Sequence, residues 1–71
     1  MNYTNPFEYG YDGPVLLFDK IICNRWQAVT SAPSKKKARS NLIFRFKRDN
    51  GLAPNAKITL PSEVILLNVN N

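Results

Sequence analysis

Apolar and polar positions change their spacing along the chain, and the changes mark the predicted elements. The run VLLFDKII at residues 15–22 is rich in β-branched and aromatic side chains, which predicts a strand. Residues 25–31 then alternate, with one face formed by Trp26, Ala28 and Thr30 and the other by Arg25, Gln27, Val29 and Ser31. Between them Cys23-Asn24 offers a short turn, because Asn tolerates positive φ. The two segments are therefore predicted to form a β-hairpin.

After residue 33 the apolar positions take a helical spacing. Ala38, Leu42 and Phe46 fall at i, i+4 and i+8, and Ile43 lies on the same side, which predicts a helix with a core-facing stripe. Ser34 is the predicted N-cap, since its hydroxyl can accept a hydrogen bond from the first turn.

Local signals also predict where this helix ends. Asn50-Gly51 is a stop signal, with Gly51 suited to the left-handed position after the helix and Leu52 to the apolar contact that follows it. Pro54 would prevent the helix from resuming. Residues 57–60 are predicted to form a third strand, and residues 64–67 a fourth or a continuation beyond a bend.

The two ends of the chain carry weaker patterns. Residues 1–14 are predicted to be an irregular arm, since Pro6, Gly10, Gly13 and Pro14 break regular elements. The arm holds four of the eight aromatic residues, at Tyr3, Phe7, Tyr9 and Tyr11. Packing of this arm onto the domain is the favoured interpretation, and docking on a partner is the alternative. Residues 68–71 are predicted to be a fraying polar tail.

These elements predict an α+β fold, a small antiparallel sheet with one helix packed across one face. The order is ββαβ or ββαββ, and the single domain spans residues 15–67. The expected core consists of Trp26, Phe18 or Leu16, Ala38, Leu42 and Phe46.

Composition places the 71-residue chain among ordinary globular proteins, with 44% hydrophobic and 21% charged residues. No apolar run approaches the roughly 20 residues that a membrane-spanning helix needs. Residues 1–6 lack the basic start and apolar stretch of a signal peptide. These features favour a cytoplasmic protein.

Residue types exclude several kinds of catalytic and metal site. The chain has one cysteine, Cys23, and no histidine, so an intramolecular disulfide, a Cys/His zinc site and a histidine-dependent catalytic triad are excluded. The five acids are scattered, and none forms an obvious pair for acid–base catalysis. The sequence predicts a noncatalytic protein without metal or cofactor.

Positive charge is concentrated in the middle of the chain. The net charge is +5, but residues 25–48 hold eight basic residues and no acid, between two weakly acidic flanks. Such a distribution favours an acidic partner, which could be nucleic acid, an anionic membrane or an acidic protein surface.

Two features of the predicted helix need more than solubility to explain them. Phe44 falls in the middle of the polar face, flanked by Lys37, Asn41 and Arg48. Three lysines occupy the first turn, residues 35–37, where the positive end of the helix dipole disfavours cations. Both features favour a surface that binds an anion and an apolar group.

The leading hypothesis is a small noncatalytic nucleic-acid-binding protein that uses this helix face. Cations would neutralise phosphates, and the exposed aromatic ring would stack on a base or press against a sugar. The candidate residues are Lys35, Lys36, Lys37, Asn41, Phe44, Arg45, Lys47, Arg48 and, from the sheet, Arg25. The alternatives are a protein-binding accessory or inhibitor that docks through Phe44 and the aromatic arm, a homo-oligomer, or a solvated basic face with Phe44 covered by the arm.

Residues 26–61, WQAVTSAPSKKKARSNLIFRFKRDNGLAPNAKITLP, resemble short proteins of unassigned function from phages and mobile elements of Gram-positive bacteria. The shared features are a tryptophan strand, a Ser-capped helix with KARSNL, a basic RFKR end, a GL stop and a strand with KI and Leu60. The resemblance implies an accessory protein that acts by binding DNA or a host or phage protein. A minor virion protein is a further alternative that it allows.

Overall fold

A computed structural model describes residues 7–69 as a four-stranded antiparallel sheet with one helix packed on one face. The elements are β1 (Phe7–Leu17), β2 (Lys20–Ala32), α1 (Lys35–Asp49), β3 (Ile58–Thr59) and β4 (Ile65–Val69). The predicted α+β class is confirmed, in its ββαββ form.

β1 replaces the described part of the predicted irregular arm. It pairs with β2 over most of its length, from Phe7 opposite Ala32 to Leu17 opposite Lys20. Tyr9 and Tyr11 are buried in the core, so the prediction that the arm packs onto the domain is confirmed for this part. The domain therefore begins no later than Phe7, while residues 1–6 of the predicted arm lie outside the described residues.

Gly10 and Gly13, two of the residues on which the loop prediction was based, allow close packing against β1 instead. A Cβ atom on Gly10 would lie 2.7 Å from Leu67 Cδ1, and one on Gly13 would lie 2.8 Å from Ser62 Cβ. The pairing of β1 with β2 shifts register between Gly13 and Val15, where Pro14 stands. Glycine and proline are tolerated in strands at such bulges and close approaches, which is why the loop prediction was wrong.

The hairpin turns at Phe18-Asp19, and the predicted turn at Cys23-Asn24 is wrong. Phe18 and Asp19 both have positive φ, 49° and 68°, as the two central residues of a tight type I′ hairpin turn require. β2 runs unbroken through Asn24. Phe18 consequently points away from the core and is 60% exposed, which rules out the core position predicted for it, whereas Leu16 is half-buried.

The helix begins and ends as predicted. Ser34 has an extended backbone, and its hydroxyl accepts a hydrogen bond from the Lys37 N–H at 3.2 Å. At the other end Gly51 has φ 64°, and the Leu52 N–H donates to the Lys47 carbonyl at 2.9 Å. The Gly51 N–H donates to the carbonyl of Arg48 at 3.3 Å, which completes a Schellman motif.

The core lies between α1 and the sheet face that carries Tyr9 and Tyr11. Ala38, Leu42 and Phe46 are buried as predicted, and the Phe46 ring packs edge-on against Trp26 at 5.0 Å between centroids. Because successive strand residues point to opposite faces, Arg25, Gln27 and Val29 lie on the face that the helix does not cover.

The last two strands extend the sheet on the far side of β1 from β2. β3 pairs with the end of β1 and β4 with its beginning, so the predicted strands at 57–60 and 64–67 are confirmed in outline. Asn68 and Val69 belong to β4, opposite Glu8 and Phe7, which corrects the prediction of a free tail for these two residues. Residues 70–71 of that tail lie outside the described residues.

Candidate nucleic-acid interface

Phe44 stands on the outer face of α1 and is 67% exposed. This position follows from the helical period, since Leu42 and Phe46 occupy the buried stripe and Phe44 lies between them on the opposite side. The described part of the predicted arm is built into the sheet as β1, on the other side of the helix. Residues 7–14 therefore leave the Phe44 ring uncovered.

A groove of about 420 Å³ opens beside the Phe44 ring. The chain reverses after the helix, and the hydrogen bond from Lys47 Nζ to the Pro54 carbonyl, 2.8 Å, holds the returning segment against the last turns of α1. The result is a concave apolar wall next to an exposed aromatic ring. We call this surface the Phe44 groove, and it is lined by Ser40, Ile43, Phe44, Lys47, Arg48, Leu52 and Pro54.

A second depression of about 370 Å³ lies at the start of the helix, lined by Pro33, Ser34, Lys36, Lys37 and Ser40. Ser40 lines both concave surfaces, so they form one track along the outer face of α1. From Lys36 to Arg48 this track is roughly 18 Å long at the rise of an α-helix. Lys36 and Lys37 are exposed on it, and the first turn contains no acid.

Most cations of the basic segment keep an uncompensated charge. Three of its eight cations form ion pairs with carboxylates of the described residues, and the other five cations do not. The pairs are Arg25–Asp12 at 2.8 Å, Lys35–Glu63 at 3.3 Å and Arg48–Asp49 at 3.2 Å. The Lys35 and Arg48 pairs are more than half exposed, and such pairs contribute little. A phosphate could therefore displace either carboxylate at small cost.

Arg39 and Arg45 are held by backbone carbonyls rather than by acids. Arg45 donates to the carbonyl of Val29 at 2.7 Å, at the edge of the track where the helix meets β2. Arg39 is half-buried and donates to the carbonyls of Leu60 and Ser62 at 2.6 and 3.2 Å, which ties the helix to the bend before β4. Both keep their positive charge, but Arg39 serves the fold rather than the outer face.

Arg25 does not join the helix face. It lies on the uncovered sheet face, where Asp12 accepts two hydrogen bonds from its guanidinium, at 2.8 and 2.9 Å. Together with a hydrogen bond from Gln27, this contact lowers the pKa of Asp12 to about 2, and the same carboxylate raises the pKa of Arg25. The structure thus separates Arg25 from the other candidate residues and neutralises its charge.

Among the remaining candidates, Lys36, Lys37, Phe44, Lys47 and Arg48 line the two concave surfaces, whereas Lys35 turns towards Glu63 and Arg45 towards Val29. The exposed members are Lys35, Lys36, Lys37, Phe44 and Arg48, and the half-buried ones are Asn41, Arg45 and Lys47. Ile43, Leu52 and Pro54 also line this surface, although the sequence pattern did not assign them to it. Leu52 was predicted only as the apolar contact that follows the helix. The sequence pattern does not indicate that the segment after Gly51 folds back against α1.

Comparisons of the chain with protein families, with curated proteins and with solved structures give no match. Among residues 7–69, no helix is long and apolar enough to cross a membrane. Within the same residues, His, Cys, Asp and Glu side chains form no group of three or more that could hold a metal ion.

Proposed function

We propose that the protein is a noncatalytic nucleic-acid-binding protein that binds through the outer face of α1. The observation that carries the proposal is the exposed Phe44 ring in an apolar groove edged by Lys47 and Arg48. Lys36 and Lys37 continue the positive surface to the start of the helix. An aromatic platform beside a line of cations suits a polymer that alternates flat bases with phosphates.

The lysines of the first turn support this proposal because they oppose the stability of the helix. A cation at a helix N-terminus is unfavourable by roughly 0.3–1 kcal/mol, and the first turn of α1 holds three with no acid in the turn itself. Lys35 is paired with Glu63 from outside the helix, which leaves Lys36 and Lys37 without an ion pair among the described residues. A bound phosphate would reverse the sign of this contribution, since it is attracted both to the lysines and to the free N–H groups of the turn.

The proposal is tested by the salt dependence of binding to nucleic acid. Fluorescence anisotropy of labelled single-stranded and duplex DNA would give log Kd against log salt concentration, and we expect a slope that corresponds to several released counterions. Changing Lys36 and Lys37 together to Gln should lower the slope by roughly two, one for each lost phosphate contact.

A matched control removes the same charge elsewhere. Lys20 and Lys57 are exposed and lie outside α1, so changing both to Gln should leave the slope near that of the unchanged protein. Equal slopes for the two double variants, or absence of binding at about 50 mM salt, would refute the proposal.

A protein-binding accessory role remains the second candidate, and the apolar lining of the Phe44 groove is the observation that favours it. Tyr9 and Tyr11 are buried, so the version in which these two aromatics dock on a partner is wrong. In this second role, Phe44→Ala would abolish capture of one specific protein from host lysate while Phe18→Ala would not. Salt-sensitive DNA binding without such a partner would refute it.

The resemblance of residues 26–61 to small phage and mobile-element proteins suggests the setting for this activity. We propose an accessory protein that works in the cytoplasm of an infected or element-bearing cell. Recovery of element DNA with the cross-linked protein from such cells would support this setting. If the unchanged protein recovered no more DNA than a charge-reversed variant, the result would count against it.

A further inference from the structure

We infer that the Phe44 groove receives one base of single-stranded DNA, stacked on the Phe44 ring; this inference rests on the proposed function. It names the form of nucleic acid that the surface recognises. Three properties of the groove carry it: the exposure of its ring, its concave shape and the placement of its charges.

The exposure and shape of the groove favour an unstacked base. Phe44 is 67% exposed, so its face is available, and Leu52 and Pro54 form a wall beside it that leaves about 420 Å³ of space. That volume lies at the lower end of small-molecule binding sites. In a duplex both faces of every base are covered by neighbouring bases, so only a single strand can place a base there without unpairing.

The charges are placed to follow the backbone on either side of such a base. Lys47 and Arg48 border the Phe44 groove, and Lys36 and Lys37 stand at the other end of the track. The track of roughly 18 Å is long enough to follow several phosphates of a single strand. Ser40, between the two ends, presents a hydroxyl that can donate to a phosphate oxygen.

The lining favours DNA over RNA. Recognition of RNA uses hydrogen bonds to the 2′-hydroxyl, which need free donors or acceptors beside the base. Beside the Phe44 ring, Ile43, Leu52 and Pro54 present apolar surface, and the polar side chains of the lining, Ser40, Lys47 and Arg48, are the ones assigned to the phosphates. The groove thus offers little stabilisation for a 2′-hydroxyl, and an apolar wall suits the deoxyribose.

The test uses the full chain and a labelled thymidine strand of about 20 nucleotides, a length that exceeds the track. Affinity is measured for this strand alone, for the same strand paired with its complement, and for the matching uridine RNA. We expect the tightest binding to the single DNA strand.

Substitutions at Phe44 then separate stacking from mere apolar contact. Phe44→Ala should weaken binding to the single strand by roughly 5- to 150-fold, and Phe44→Leu, which keeps apolar volume without a π face, should lose nearly as much. Phe44→Trp should retain binding, and the fluorescence of the added indole should be quenched by the stacked base. Phe18, which is also exposed but lies in the hairpin turn, provides the control, and Phe18→Ala should change nothing.

The outcomes separate the inference from the function on which it rests. Salt-dependent binding with equal affinity for duplex and single strand, and no effect of Phe44→Leu, would overturn the inference and leave the proposed function standing. Equal or tighter binding of the uridine strand would overturn the assignment to DNA. Failure to bind any of the three nucleic acids would refute the proposed function itself.

Discussion

Replacing Lys37 by glutamate should stabilise the protein and weaken its binding to nucleic acid at the same time. Lys37 is the third residue of α1, and its N–H already donates to the Ser34 hydroxyl at 3.2 Å. This is half of a capping box, in which a glutamate side chain at the third position would accept a hydrogen bond from the backbone N–H of the cap residue. The lysine side chain cannot do this, because it has no acceptor.

The size of the effect follows from that position. Removing a cation from the first turn and adding an anion there is worth roughly 0.3–1 kcal/mol for each change. The added capping hydrogen bond contributes about 0.5–1.5 kcal/mol if it forms fully. Because Lys37 is exposed, we take the lower half of these ranges, which gives about 1–2 kcal/mol. For a domain of this length, that corresponds to a rise in Tm of roughly 5–15 °C.

Thermal unfolding followed by circular dichroism gives the first half of this test, and DNA anisotropy gives the second. Lys20→Glu is the control, since it makes the same change of charge at the start of β2. Arg45 contacts β2 at Val29, about nine residues and roughly 30 Å along the strand from Lys20. It should alter neither Tm nor affinity appreciably. A Lys37→Glu protein with unchanged Tm would refute the reasoning about the helix terminus. Unchanged affinity of Lys37→Glu for DNA would show that Lys37 is not part of the interface.

Three further predictions concern the fold. Leu42→Ala should lower the free energy of unfolding by about 2–5 kcal/mol, because Leu42 is fully buried. Urea denaturation followed by Trp26 fluorescence measures this loss, and a value below about 1 kcal/mol would contradict the packing described. Gly51→Ala should cost only about 1 kcal/mol, since φ is 64° but nothing lies within 4 Å of the added Cβ; a much larger loss would mean that the site is crowded. Asp12 should titrate near pH 2 by NMR, because hydrogen bonds from Arg25 and Gln27 lower its pKa from 3.8. The ionised Asp12 side chain therefore stabilises the fold above about pH 4, and this stabilisation is lost as the pH falls through 2. A titration midpoint of Asp12 near pH 4 would show that its contact with Arg25 does not form.

The helix was predictable because its signals are local. Ser34, Gly51 and the spacing of Ala38, Leu42 and Phe46 act within one or two turns, so the sequence specifies both ends and the buried stripe. The exposure of Phe44 followed from the same period. These are the parts of the candidate site that needed no knowledge of the rest of the chain.

β1 and the hairpin turn were not predictable in this way, because distant contacts decide them. Gly10 and Gly13 suggest a loop when read alone, but they accommodate Leu67 and Ser62 more than 45 residues later in the chain. The turn falls at Phe18-Asp19, a pair with no glycine or asparagine, where the pairing of β1 with β2 compensates for two residues of positive φ. Asn24 is the better turn residue by local preference, yet β2 continues through it at the irregularity opposite Pro14.

The site shows the same division between local and distant causes. The cations of α1, the Phe44 ring and the sheet face of Arg25 could be placed from the sequence. The neutralisation of Arg25 could not, because its partner Asp12 belonged to the segment predicted as an arm. The Phe44 groove was missed since it depends on how Leu52 and Pro54 return against the helix.

The central claim, that the outer face of α1 binds nucleic acid, is tested most directly by mapping the bound surface. Backbone amide shifts of the isotope-labelled protein would be followed by NMR as the thymidine strand is added. The account predicts that the changes concentrate at Lys36, Lys37, Ser40, Phe44 and Arg48, with little change at Asp12, Arg25 or the turn at Phe18. Changes confined to the uncovered sheet face or to the edge of β2, with the amides of α1 unmoved, would contradict it.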